Sequence, residues 1–238
     1  IPYVLDTILI FSYPAYLDGP RHTSDKSVAT EFSEVFRSLW KSLKRPALLR
    51  SIANQSLYSG FYKAVKDYLQ PVLKQFAIAL PVLLSLQDDQ RTALITGFIY
   101  SILYLLTAYA SKSSGKFSMR YASLSVPLNH LLFIGLGCGL FSGIAYYFGA
   151  PVIAIILYIG IYLIENLRKP MGIAYVTEQM DKTSLASALS VESQAETLFA
   201  VVFALLLGLF SNLFGLGPGI LIVSGISLVL GLFLRLPK

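Results

Sequence analysis

The sequence predicts an all-α polytopic membrane helix bundle, with six full transmembrane helices and one truncated helix. Three observations carry that reading. The 238 residues are 55% hydrophobic and only 13% charged, about half the charged share of a soluble domain, and mean hydropathy is +0.65. No charge falls between Arg91 and Lys112, between Arg120 and Glu165, or between Glu196 and Arg235, which leaves gaps of 20, 44 and 38 residues. A spanning helix takes about 20 apolar residues, so the first gap holds one span and the others hold two each. Finally, Gly/Pro clusters divide the two longer gaps where hairpins are needed. This pattern excludes a disordered chain and an ordinary cytosolic enzyme. With Cys138 as the single cysteine, it also excludes a disulfide scaffold.

In chain order, Ile1–Leu17 is apolar apart from Asp6 and has no initiating methionine. It reads as the end of a helix whose beginning is missing, because it lacks the basic start and cleavage site of a signal peptide. Residues 18–47 form a polar basic connection. Within it Phe32, Val35, Phe36, Leu39, Trp40 and Leu43 recur at helical steps across Glu31–Lys44. This predicts an amphipathic helix that lies on an anionic leaflet or packs under the bundle.

Residues 48–238 form the bundle. Its first full span is Leu48–Val72, apolar at helical spacing but carrying Lys63, Lys66 and Asp67. The run Phe76–Leu86 is too short to cross and contains Pro81, so it reads as a re-entrant or interfacial stretch. Further spans follow near Thr92–Ser111, Val126–Phe148, Pro151–Ile164, Thr197–Ser211 (starting near Leu189) and Pro218–Leu234. Gly149-Ala150-Pro151 and Gly215-Leu216-Gly217-Pro218-Gly219 make the hairpins. Pro170 ends the fourth full span by restricting Lys169.

Fifteen of the nineteen lysines and arginines fall on one side of this arrangement, and only Arg91 sits in a loop on the other. Such a bias orients the chain with the long basic loop and the C-terminus cytoplasmic. The net charge of +6 is therefore a membrane-orientation device. A nucleic-acid surface is not expected, because the charges are dispersed over several loops.

Intramembrane charge is costly and tends to mark a pathway. In the first full span Gln55, Ser59, Tyr62 or Lys63, Lys66 or Asp67, Gln70 and Lys74 recur every three or four residues as one helical stripe. Lys63 and Asp67, at i and i+4, are placed to pair. The same lysines, set higher, would instead snorkel to the headgroups. In the fourth full span Tyr158, Tyr162, Glu165 and Asn166 share a face, and Glu165 with Arg168 at i, i+3 forms either a gate or a simple interfacial pair. Glu192 and Glu196 open the fifth full span, where the helix dipole favours carboxylates. Gly135, Gly139 and Gly143 form a small-residue series for close helix packing. His130 reads as a packing residue and Cys138 as inert. No metal-ligand cluster, nucleophile elbow, phosphate loop or cofactor motif occurs, so no metal, no cofactor and no enzymatic activity are expected.

The polar first and fourth full spans, three helices apart, suggest two three-helix units in a 3+3 inverted repeat. The loop Ala110-Ser111-Lys112-Ser113-Ser114-Gly115-Lys116 resembles the Gly-plus-basic loop between the eighth and ninth helices of major facilitator superfamily transporters. Asn166-Leu167-Arg168-Lys169-Pro170, followed by Ala186-Ser187-Ala188-Leu189-Ser190-Val191-Glu192-Ser193, is similar to the tenth-to-eleventh connection of bacterial members. The long basic loop after a helix end matches their central loop. Over nearly its whole length the chain therefore resembles the C-terminal half of such a transporter, from the end of the sixth helix through the twelfth.

The resemblance implies alternating access against a missing N-terminal half, in a bacterial inner membrane. It also implies a small-molecule substrate site between the halves, with proton coupling. Lys63, Lys66, Asp67 and Gln70 are then the substrate or coupling candidates, with Tyr158 and Tyr162 opposite. Asp67 is the candidate coupling acid, and Glu165, Asn166 and Arg168 are the gate candidates. An intramembrane lipid-modifying enzyme and a non-transporting scaffold or sensor are the alternative readings.

Overall fold

A computed structural model describes residues 44–83, 85–180 and 185–237. The expectations placed on residues 1–43, including the partial span with Asp6 and the amphipathic helix, lie outside the described residues. So does Lys182.

The described chain is helical throughout, with no strand. Helix α1 spans Pro46–Val65, a 3-10 turn covers Lys66–Tyr68, and α2 spans Leu69–Ala79. Then follow α3 Asp88–Ser118, α4 Ser125–Tyr147, α5 Pro151–Glu178, α6 Leu185–Phe214 and α7 Leu216–Phe233. Helices α3 to α7 are each long and apolar enough to cross a membrane. Helix α1 rises about 30 Å at about 1.5 Å per residue, but its polar side chains keep it from that composition.

Helix α1 is nevertheless the buried axis of the bundle. It starts at Pro46, whose missing N–H would have had no helical partner in the first turn. It packs chiefly on α6, and also on α5 and α7, and its polar Asn54, Gln55, Ser56 and Ser59 are all buried. The helix tightens at Lys66–Tyr68 for a local reason. Pro71 has no N–H for the Asp67 carbonyl, and its ring crowds that carbonyl. The Leu69 N–H then turns to Lys66 instead of Val65. Tyr158 of α5 donates its hydroxyl to the Val65 carbonyl at 2.8 Å, and Tyr162 donates to the Lys66 carbonyl at 2.7 Å.

The α4–α5 hairpin falls where the sequence puts it. Gly149 takes a φ of +73°, the Gly149 N–H bonds to Tyr146 and the Ala150 N–H bonds to Ala145 at 2.8 Å, and Pro151 opens α5. At the next hairpin Gly215 alone turns the chain, with a φ of +92°. Gly217 and Gly219, expected in that turn, lie inside α7. A Cβ on Gly217 would stand 3.0 Å from the backbone of α4. The glycine series of α4 is likewise a packing surface. A Cβ on Gly139 would stand 2.7 Å from the Phe61 ring of α1, and one on Gly143 would stand 2.7 Å from the backbone of α7. Gly137 faces open space.

Two expected boundaries are corrected. Helix α3 does not end at Ser111 but continues to Ser118, because an isolated Gly115 weakens a helix without stopping it. Pro170 does not end α5, which runs on to Glu178. The ring of Pro170 is exposed, while Arg168, Met171 and Gly172 on either side are buried. Packing thus holds the helix through one missing hydrogen bond. The chain after α7 is pinned by Asn129, which exchanges two hydrogen bonds with the Leu236 backbone, both at 2.9 Å.

Candidate functional site

Ionisable side chains gather where α1, α5 and α6 meet. Arg168 on α5 is wholly buried. Its Nη1 donates to Gln55 Oε1 at 2.8 Å, and its Nη2 donates to the Asn54 carbonyl at 2.9 Å and to Asn54 Oδ1. Its Nε reaches the Leu128 carbonyl at 3.4 Å, and the guanidinium carbon lies 5.4 Å from the centre of the Tyr58 ring. No carboxylate of the described residues lies within ion-pair distance of it. A buried guanidinium without such a partner needs its donors filled by neutral acceptors, and α1 supplies most of them.

One turn earlier, Glu165 is buried and its Oε1 accepts the Ser59 hydroxyl at 2.8 Å, while Oε2 has no hydrogen-bond partner. On α6, Glu196 is buried and meets two ammonium groups on one oxygen. Lys63 Nζ lies 3.0 Å from its Oε1, and Lys169 Nζ lies 3.5 Å from the same atom. Both lysines are about two-fifths exposed. Glu192 is buried a turn away. Its backbone carbonyl accepts the Ser56 hydroxyl at 3.1 Å, and its Oε1 is unpartnered. Three cations thus face three carboxylates across three helices. From Pro151 to Arg168 the rise is about 26 Å, and from Phe214 back to Glu196 about 27 Å. The cluster therefore sits near one end of an apolar layer about 30 Å thick.

The structure divides the residues expected to act together. Lys63 belongs to this cluster, but it pairs with Glu196 and not with Asp67, which is exposed on the 3-10 turn. The turn also breaks the single polar stripe. Three residues of 3-10 geometry advance the helix phase by about 60° relative to an α-helix. Gln70 and Lys74 consequently line a separate cleft of about 630 Å³ between α2 and α3, with Asp89, Thr92, Thr96 and Tyr100. Lys66 is half-buried at the turn itself. Tyr158 and Tyr162 reach this turn from α5, and their hydroxyls are engaged with helix carbonyls.

The Glu165–Arg168 pair is also corrected. The two share α5 but make no direct ion pair, and each is tied separately to α1. Asn166 donates to the Tyr162 carbonyl of its own helix at 2.9 Å. Glu192 and Glu196 do not occupy a helix N-terminus, because α6 starts at Leu185 and its first turn holds no acid. Their i, i+4 spacing ahead of a charge-free run was the signal for a buried role. Lys169 carried no such signal. Among the described residues no cluster of His, Cys, Asp and Glu is arranged to hold a metal ion.

Comparison of the chain with family profiles, with curated proteins and with solved structures gave no match.

Proposed function

We propose that this chain forms the C-terminal half of a secondary active transporter of the major facilitator type. In this reading it moves a small molecule by alternating access in a bacterial inner membrane, with its basic loops and C-terminus cytoplasmic. The observation that carries the proposal is the Lys63–Glu196–Lys169 bridge beside the buried Glu165, Arg168 and Glu192. Charges inside a membrane bundle are costly, and where they occur they mark substrate and ion pathways.

Helix α1 packs on α6, α3 on α5, α4 on α7, and α1 on α5. These contacts obey the exchange of α1 with α5, α3 with α6 and α4 with α7 that a 3+3 inverted repeat makes, whereas the broad α4–α5 and α6–α7 contacts have no equal counterparts in α7–α1 and α3–α4. In that frame α1 with α2 is the sixth span, and its polar side chains are tolerated because the other helices cover them.

The chemistry follows from charge balance. Arg168 is a fixed clamp between α1 and α5. The half-exposed lysines on Glu196 form a contact that can open. A proton taken by Glu196 would release both ammonium groups and leave the cluster with an excess positive charge. An anionic substrate group would neutralise that excess, with Lys63, Lys66 and Lys169 as its receivers. Glu196 takes the coupling role in place of the exposed Asp67. The Ser59–Glu165 bond is the second contact of the gate.

The test is proton influx into proteoliposomes of the full-length protein loaded with a pH-sensitive dye. Addition of small carboxylates or phosphates should drive influx in the wild type, and Glu196→Gln should abolish it while preserving the assembled protein. If every compound acts equally on wild type and Glu196→Gln, Glu196 is not the coupling acid.

A further inference from the structure

A second groove lies away from the charge cluster, between the end of α3 and the middle of α5, with a volume of about 420 Å³. Its walls are apolar: Leu106, Tyr109 and Phe117 from α3, and Leu163 and Leu167 from α5. Tyr109 and Leu106 are 72% and 40% exposed. At one end the lining changes to Lys116 and Arg120, both exposed.

Neither cation has a carboxylate within ion-pair distance among the described residues. Both stand in a stretch, residues 90–164, that contains no Asp or Glu. The depths differ in a useful way. From Asp88 to Lys116 the rise along α3 is about 42 Å, beyond a hydrocarbon layer of about 30 Å. Counted from the same end, Leu106 lies at about 27 Å, within that layer. The groove therefore has Leu106 and the leucines of α5 at acyl-chain depth, and beyond them two cations with no carboxylate partner among the described residues.

We propose that this groove binds one anionic phospholipid, with its acyl chains along Leu106, Leu163 and Leu167 and its phosphate on Lys116 and Arg120. Charge complementarity selects this occupant, because a neutral lipid would fill the walls but leave both cations unused. Basic pockets between transmembrane helices recognise headgroups in this way. The site requires that α3 and α5 cross the bilayer, but it does not depend on transport.

The experiment is native mass spectrometry of the full-length protein released from nanodiscs containing phosphatidylglycerol and phosphatidylcholine. Each basic residue near the headgroups contributes about fivefold in retention, so the wild type should keep phosphatidylglycerol over phosphatidylcholine by about 25-fold. The double variant Lys116→Gln/Arg120→Gln should remove that preference, and Lys112→Gln, outside the groove, should preserve it. Leu167→Trp, which fills the groove, should lower retention with both cations intact. Three results would each overturn the site: equal retention of the two lipids by the wild type, a loss with Lys112→Gln as large as with the double variant, or displacement by soluble glycerol phosphate at millimolar concentration.

Discussion

Replacing Gln55 with methionine should destabilise the protein when Arg168 is present and stabilise it when Arg168 is absent. In the native bundle Gln55 Oε1 accepts the guanidinium Nη1 at 2.8 Å in a buried setting. Loss of a hydrogen bond to a charged group costs about 2 kcal/mol. The Nε2 of the same amide has no partner, so removing it returns about 1 kcal/mol. The net loss is about 1 kcal/mol, or about 2–4 °C in midpoint for a chain of this size. In an Arg168→Met background both ends of the Gln55 amide are buried and unpartnered. The same Gln55→Met change then gains about 2 kcal/mol. The coupling energy is thus about 3 kcal/mol, with a reversal of sign. The assay is thermal unfolding of the four proteins of the cycle in one non-ionic detergent. Additive effects, with coupling below about 0.5 kcal/mol, would refute the claim that neutral amide oxygens of α1 hold this buried charge.

Three further outcomes follow from the same geometry. Gly143→Ala should cost about 1–3 kcal/mol, because its Cβ would press on the backbone of α7, whereas Gly137→Ala should gain about 0.5–1 kcal/mol from helix propensity alone; thermal unfolding of the pair checks this. Tyr158→Phe should cost about 1 kcal/mol by removing the buried hydrogen bond to the Val65 carbonyl, read by thermal unfolding; an unchanged midpoint would show that this bond does not hold α5 to the turn.

Much of the scaffold was legible because it rests on local physics. The charge-free runs became α3 to α7, since transfer into an apolar layer is summed residue by residue. Gly149 and Gly215 turn the chain because a positive φ is a property of the residue itself. The glycine series of α4 announced a packing face for the same reason. Pro170 misled, because its cost of a few kcal/mol is local while the packing that holds α5 together is not. Pro71 gave the opposite lesson. It stands in an apolar run that reads as one helix, yet it shifts the phase of everything after it. Through that shift, Gln70 and Lys74 leave the face shared by Gln55, Ser59 and Lys63.

By itself, then, the sequence determined the helices, their hairpins and the inventory of charges that must be accommodated among them. It could not determine the partners. Lys63 stands four residues from Asp67, and helical spacing alone makes that the natural pair. In the folded bundle Lys63 meets Glu196, 133 positions away, because α1 packs against α6 and buries that carboxylate. Arg168 stands three residues from Glu165, yet it is satisfied by Asn54 and Gln55. Pairing within a helix depends on spacing, which the sequence contains. Pairing between helices depends on which faces are brought together and which charges are thereby removed from solvent, and only the tertiary structure decides that.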